Sequence, residues 1–369
     1  MIQKKRRLWL IAMLTVLSLF AAACGDSDSA DENDNGNGNG GGPVTSESSD
    51  AIAEISGDIK GSGASFPDAF YQEAVGGLAE VAPDLTVTYE AVGSSSGKEA
   101  FAQGLNDFAG TDSLVKDDEG LEEGSFHYIP TTAASIAVVY NLPGVDELNL
   151  DGPTVAKIFQ REITTWDDQA IADLNPEADL PSTDITVARR SDGSGTTKNF
   201  TTFLESAAPD DWTLGADDTV EWPADTQGGQ QNPGVAQIVQ DTEGGIGYID
   251  FGNAQELGFQ MASIANSEGN FVAPSIDATR SALDGAELAD DLTYDPLNGP
   301  GAEAYPITAP TYILVHTSYD DPAKGEAVVA FVRWLVTDGA DTHAAELGFA
   351  PVPDSFRTAI EEKLDSVEF

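Results

Sequence analysis

Cysteine is nearly absent from this chain of 369 residues: Cys24 stands alone, so no disulfide can form within it. Histidine is almost as scarce. His127, His316 and His343 are scattered, and none has acidic neighbours at the spacing of a metal site, which argues against a metal-dependent phosphatase despite the abundance of Asp and Glu. Basic residues are few, with 17 Lys and Arg against 63 Asp and Glu and a formal charge of −46. A chain this acidic along its whole length would repel a phosphate backbone, so nucleic acid is excluded as a partner. The apolar run from Leu8 to about Ala23 is shorter than a stable membrane span. No internal repeat is present.

That run is informative in another way. Lys4, Lys5, Arg6 and Arg7 precede it, and Ala21-Ala22-Ala23-Cys24-Gly25 follows, the arrangement of an export signal. A lone cysteine at the break matches the lipidated first residue of a lipoprotein, although Ala21 stands where such signals usually carry Leu. The simpler alternative is an ordinary cleavable signal with an incidental cysteine. Removing residues 1–23 takes away four basic residues and no acidic ones, leaving 13 against 63 and a charge of −50. So dispersed an acidic surface suits work in high salt. Residues 25–54 are rich in Gly, Asn, Asp and Ser and cannot bury a core. They read as a flexible tether with a root-mean-square reach of roughly 30 Å, beyond which a globular body begins near Ile55.

Within the body, one pattern recurs: an apolar strand, a short Gly/Ser/Thr loop, and the start of a helix. Ile59-Lys60-Gly61-Ser62-Gly63 leads into Ala64-Ser65-Phe66-Pro67, where Ser65 reads as the N-cap of a helix carrying Phe70, Ala74, Val75 and Leu78. The alternating strand Leu85-Val87-Tyr89 leads into Val92-Gly93-Ser94-Ser95-Ser96-Gly97-Lys98 and a helix around Phe101. Phe108-Ala109-Gly110-Thr111-Asp112 ends in a hydroxyl and a carboxylate. Ile185-Thr186-Val187-Ala188 leads into Arg189-Arg190-Ser191-Asp192-Gly193-Ser194-Gly195-Thr196-Thr197, ahead of Phe200, Phe203 and Leu204 on one helical face. The last unit is the most telling. A helix start offers unpartnered N–H groups and partial positive charge, its hydroxyls add donors, and Arg190 adds a planar fork suited to a tetrahedral oxyanion. The local alternative is plain helix capping. It is not a P-loop, because Lys198 follows Thr197 and precedes Asn199. Four such loops in one α/β chain predict a shared cleft at the carboxyl ends of strands.

Elsewhere, Ile129 to Tyr140 reads as a long buried strand crossing into a second domain. Val155-Ile158-Phe159 and Trp166 through Leu174 read as short helices, and Gly244 to Ile249 as a glycine turn feeding a buried strand. Tyr305 to Val315 reads as a strand returning to the first domain, Val328 to Leu335 as a helix, and Asn266 to Glu303 as surface helices and loops. Gly93-Ser94-Ser95-Ser96-Gly97 also matches the nucleophile elbow of a serine hydrolase, with Ser95 as nucleophile and His316 as the best-placed base. A purely structural surface lipoprotein is a further alternative, which the four loops disfavour.

The ordered set of segments 61–67, 92–97, 107–112, 166–168, 174–176, 190–196 and 305–308 resembles the phosphate-binding lipoproteins of bacterial ABC-type phosphate uptake, over roughly residues 56–352. That resemblance implies an α/β, type II periplasmic-binding-protein fold: two α/β domains joined by crossing strands around a ligand cleft, with residues 55–130 plus 307–369 as domain I and 131–306 as domain II. It implies an exported, non-enzymatic receptor, monomeric and without cofactor or metal, lipid-anchored through Cys24 on the outer face of the cytoplasmic membrane or within a periplasm, that hands inorganic phosphate to a membrane permease. It also implies the contacts. Ser65 (Thr in many relatives) offers a hydroxyl and Phe66 its N–H. Ser94 offers both. Asp112 accepts the ligand's own proton, and Arg190, held by Asp192, supplies the cation. Ser194, Gly195 and Thr196 donate from the helix start. Sulfate and molybdate are the competing ligands. Sulfate has no proton to give Asp112, and an unpaired buried acceptor costs about 1–3 kcal/mol.

Overall fold

The computed structural model describes residues 52–369. The export signal, Cys24 and all but the last three residues of the expected tether lie outside them. Among the described residues no helix is long and apolar enough to cross a membrane.

The described residues open with two strand–helix units and a third strand. Strand β1 (Gly57–Gly63) precedes helix α1 (Asp68–Val81), β2 (Leu85–Ala91) precedes α2 (Ser94–Ala102), and β3 (Phe108–Thr111) ends at Asp112. In β2 the alternation of Leu85, Val87 and Tyr89 with polar residues buries one face and leaves the other to water. The expected N-cap at Ser65 is not found. Helix α1 starts at Asp68 with Pro67 in the cap position and no side-chain cap. Proline pre-sets φ for a helix start, and this leaves the Ser65 hydroxyl for another use.

Strand β4 (Phe126–Asn141) is buried at every residue from Tyr128 to Tyr140. The chain then forms β5 (Asn149–Leu150), α3 (Gly152–Phe159), α4 (Gln169–Leu174), β6 (Thr186–Arg190), α5 (Gly195–Ala207), β7 (Gln227–Gly229), α6 (Gln231–Asp241), β8 (Gly245–Asp250) and α7 (Phe251–Glu256). The acidic stretch beyond holds β9 (Gln260–Met261), β10 (Ser263–Ala265), β11 (Phe271–Val272) and α8 (Ile276–Leu283) before β12 (Thr308–His316). Helix α9 (Pro322–Trp334) runs on as a π-helical stretch, Leu335–Ala344, that the apolar pattern around Val328 did not reveal. A 3-10 turn, Ala345–Leu347, follows; Gly348, at φ +85°, ends it and turns Phe349 into the core against Phe66 and Phe70. Short β13 (Ala350–Pro351) and α10 (Asp354–Asp365) complete the chain.

The main sheet has the order β2-β1-β3-β12-β4-β8-β6-β7, with β13 and β9 also on β4. Its registers locate the functional edge. β12 pairs antiparallel with the first part of β4, from Phe126 to Ser135, and β8 pairs antiparallel with the rest, from Ile136 to Asn141. β1, β2 and β3 are mutually parallel and lie beside β12, whereas β6 and β7 run parallel to β8. Thr111, the last residue of β3, lies level with Tyr312, which faces Pro130; Asp250, the last residue of β8, faces Ile136. The carboxyl ends of both sets of strands therefore converge on the middle of β4, and every Gly/Ser/Thr loop noted above leaves the sheet there.

Candidate anion site

At this convergence the loops of the β1–β3 half meet those of the β6–β8 half along a seam. Ser94, the first residue of α2, is buried, and its Oγ accepts the N–H of Gly195 from across the seam at 3.1 Å and the N–H of Asp112 at 3.4 Å. Ser65 Oγ accepts the N–H of Asn232 from across the seam at 3.2 Å. Ser194 caps α5, its Oγ accepting the Thr197 N–H at 3.1 Å. Ser94 has both lone pairs taken, so only its O–H hydrogen remains for a ligand; Ser65 and Ser194 each give up one of two lone pairs and keep the O–H hydrogen to donate. The loops thus create a set of pre-aimed donors. Thr196 Oγ1 is buried at the same helix start and has no partner. Phe66 is buried beside Ser65, edge-on to Phe349.

Close approach requires glycine here. A Cβ on Gly195 would lie 2.7 Å from both Asp112 Cβ and Ser94 Oγ, and one on Gly93, which sits at φ +95°, would lie 2.6 Å from Asp192 Oδ2. The N–H of Gly195, expected to donate to the ligand, is engaged by Ser94 in this arrangement.

Arg190, at the end of β6, is buried to 3% exposure. Its Nε donates to Asp192 Oδ1 at 2.8 Å and one Nη2 hydrogen to Asp192 Oδ2. One Nη1 hydrogen goes to Asn232 Oδ1 at 3.0 Å. A guanidinium has five N–H hydrogens, so one remains on each terminal nitrogen, a two-pronged donor. Burial alone would raise Asp192, but the bonds and charge of Arg190 outweigh it and hold its carboxyl below the usual range. Asp112 behaves oppositely. Burial pushes its carboxyl up to about 7, against the opposing pull of the Thr311 hydroxyl, which donates to Oδ1 at 2.7 Å, and of Arg190. With Asp192 cancelling Arg190, the pocket relies on neutral donors rather than on net positive charge.

The eight expected contact residues lie at the strand ends, loops and helix starts along this seam, and Asp192 bonds the Arg190 guanidinium. The sequence reading missed the shell behind them. Asn232 sits in the first turn of α6 and Asp250 ends β8; Thr311 lies in β12, beside Thr131 at an irregularity in its pairing with β4. Gly228-Gly229 ahead of Asn232-Pro233-Gly234 was a readable signal, since it is one more glycine loop before an apolar helix. Thr311, inside an apolar run, gave none.

The seam also carries an ionic cluster. Lys98 Nζ, with its side chain fully buried, lies 2.8 Å from Glu119 Oε1 and 3.7 Å from Asp218 Oδ2. Lys116 Nζ lies 2.8 Å from Asp218 Oδ2 and 2.5 Å from Asp217 Oδ1. Ser113 donates to Asp218 Oδ1 at 2.5 Å. Lys98, Ser113 and Lys116 belong to the first half, Asp217 and Asp218 to the second.

The serine-hydrolase arrangement is not assembled. Ser95 packs against Gly193, its N–H donating to the Gly193 carbonyl at 3.4 Å. His316 instead stacks on Phe101 with ring centroids 3.9 Å apart. His127 pairs with Ser366, and His343 packs by Trp334. Among the described residues no group of three or more His, Cys, Asp or Glu could hold a metal ion.

The chain matches the PBP superfamily domain over residues 48–339. It is 34% identical over 323 residues to the phosphate-binding protein PstS of Methanocaldococcus jannaschii, covering 80% of this chain and 82% of that protein. It is 33% identical over 311 residues to PstS of Haemophilus influenzae, covering 83% and 92%. Among solved structures, the phosphate-binding protein of Stenotrophomonas maltophilia superposes with a TM-score of 0.66 at 22% identity, covering 83% of this chain and 94% of that one, which speaks to the fold.

Proposed function

This chain belongs to the PBP superfamily and, within it, to the PstS phosphate-binding proteins, non-enzymatic extracytoplasmic receptors of ABC-type phosphate uptake; from that membership we propose that its seam binds one inorganic phosphate ion for delivery to a membrane permease. Ser65, Ser94, Ser194 and Thr196 donate hydroxyl hydrogens. Phe66 donates its N–H, and Gly195 contributes the close approach of the helix start. Arg190 supplies its two remaining N–H groups. Asp112 takes the single proton that hydrogen phosphate carries.

The observation that carries this reading is the direction of the three serine hydroxyls. Each accepts at least one backbone N–H and keeps its O–H hydrogen for what lies between them; Ser94, with both lone pairs taken, can only donate. A ligand that accepts nearly everywhere and donates once, at Asp112, is a protonated phosphate. Sulfate accepts everywhere and donates nowhere, so it leaves a charged Asp112 unpaired, and a site built on a required hydrogen bond can discriminate by about 10⁴.

Residues 55–130 plus 307–369 form one lobe and 131–306 the other, and the seam closes on the anion. Cys24 carries a lipid, residues 25–54 tether the body to the outer face of the membrane, and the receptor works as a monomer. Calorimetric titration at pH 8 with phosphate and then sulfate tests the ligand assignment. One-to-one phosphate binding with negligible sulfate binding is expected. Comparable binding of both would leave the fold and remove the role of Asp112. Radiolabelled palmitate incorporation that disappears in Cys24→Ala tests the anchor.

A further inference from the structure

The first turn of α6 holds more than it needs for its own helix. Gln231 sits at φ +59°, in the left-handed region that non-glycine residues rarely enter. That turn directs two backbone N–H groups at protein atoms: Gln231 N–H at Asp192 Oδ1, 3.0 Å, and Asn232 N–H at Ser65 Oγ, 3.2 Å. The Asn232 side chain is fully buried. Its Nδ2 donates to Asp250 Oδ2 at 2.9 Å, and its Oδ1 accepts from Arg190 Nη1 at 3.0 Å.

The direction of this relay is fixed by chemistry. Arg190 can only donate. Asp250 receives the Asn253 N–H at 2.8 Å and Asn253 Nδ2 at 2.7 Å as well as Asn232, so it acts as an acceptor. Only one orientation of the Asn232 amide satisfies both neighbours. Asp192 holds one edge of the guanidinium and Asn232 the other, so the plane of Arg190 cannot rotate about either contact alone. The same residue's N–H occupies a lone pair of Ser65, which belongs to the opposite half. One residue thereby touches the cation of one half and the first hydroxyl of the other.

We propose that Asn232 is a positioning residue: it locks the guanidinium of Arg190 toward the anion and, through its N–H on Ser65, makes that orientation depend on closure of the seam. The inference rests on the phosphate reading above. It predicts that the seam, when apart, leaves Ser65 free to rotate, and that Arg190 and Ser65 become donors in register only when the two halves meet.

The test is phosphate titration of the wild type and of Asn232→Ala, Asn232→Asp, Asp250→Asn and the double variant N232D/D250N, with the melting temperature of each measured without phosphate. Outer partners of a binding group are typically worth about 10–100-fold in affinity, so Asn232→Ala should raise Kd by about that factor while remaining folded. Asn232→Asp sets two carboxylates face to face and should bind worst. The double variant restores both bonds with roles exchanged. The amide now donates from position 250, the carboxylate at position 232 accepts from it and from Arg190, and the Asn253 amide turns over to accept. It should regain at least about tenfold over N232D. Affinity within about threefold of wild type in folded Asn232→Ala, with only the melting temperature lowered, would overturn the proposal and leave Asn232 a structural residue. If Asn232→Ala does not fold, the double variant decides: binding recovered over N232D upholds it, and a folded protein with no recovery sinks it. A wild type that ignores phosphate would instead fail the functional reading and take this inference with it.

Discussion

Asp112 makes a quantitative prediction about acidity. Its carboxyl is 3% exposed and raised from 3.8 to about 7 by burial. Unfolded, it would titrate near its ordinary value, so between about pH 4 and pH 7 the folded protein holds one proton more than the unfolded chain. Stability then falls as pH rises, by about 1.4 kcal/mol per unit, on the order of 4 kcal/mol in all. The contribution is present below the ordinary carboxyl value and gone above about 7. Ligand choice follows the same proton. Above pH 7 Asp112 is a carboxylate that accepts from hydrogen phosphate and repels sulfate; below it, the acid form donates to either ion. Sulfate affinity should therefore drop about tenfold for each pH unit above 7, while phosphate, which brings its own proton, should hold its affinity from pH 7 to 8.5. In Asp112→Asn the amide donates at every pH, so sulfate binding should strengthen and lose its pH dependence. The melting temperature without ligand should exceed that of the wild type at pH 8 and approach it at pH 4.5. Calorimetry with both anions at pH 6, 7, 8 and 8.5, with thermal melts alongside, reads all of this. Wild-type sulfate affinity that stays flat across the series would refute the reasoning, because it would mean that Asp112 does not carry the deciding proton.

Other expectations are simpler. Gly195→Ala puts a methyl 2.7 Å from Asp112 Cβ and Ser94 Oγ; forcing such a contact costs about 1–3 kcal/mol, so phosphate Kd should rise about 5- to 150-fold, with a small change in melting temperature because the opened seam relieves the clash. Asp218→Ala leaves the buried Lys98 with Glu119 as its remaining anionic partner; removing one partner of a buried pair costs about 3–5 kcal/mol, which should appear as weakened phosphate binding and as increased scattering dimensions in solution, and unchanged affinity would count against the cluster as a cross-seam tie. Phe349→Ala removes a fully buried ring from between Phe66 and Phe70 and should lower stability by about 3–5 kcal/mol in chemical denaturation. The formal charge of −46 should make the melting temperature climb steeply with molar salt, and indifference to salt would end the high-salt reading.

The sequence disclosed the loops better than what stands behind them. Each Gly/Ser/Thr loop was readable because glycines and hydroxyls follow a run with strand character, and the register of β4 brings those loops to one edge. Arg190 and Asp192 were legible because they are two residues apart. The glycine loop before Asn232 was legible, but the roles of Asn232, Asp250 and Thr311 were not, since each matters through a partner 42, 18 or 199 positions away, and no local pattern marks a hydrogen bond across such separations. Ser65 shows the opposite error. Its neighbourhood looked like a helix cap, but Pro67 starts the helix later and releases the hydroxyl to the seam. The π-helical stretch after Trp334 escaped because an apolar period near 3.6 does not distinguish it from an ordinary helical turn.

The sharing of β4 between both halves has a mechanical consequence. The anion loops cluster beside the middle of this strand, where its pairing passes from β12 to β8, so any swing of one half against the other pivots close to the ligand. Near a fulcrum, displacements are small: a shift of a fraction of an ångström at Ser65 or Arg190 suffices to make or break their bonds. The tie between Lys116 and Asp217, whose side chains are 35% and 52% exposed, sits farther out on the lever arm, and the same rotation carries it a longer way. Such a swing would turn the making of a few short hydrogen bonds at the pivot into a larger displacement at the rim.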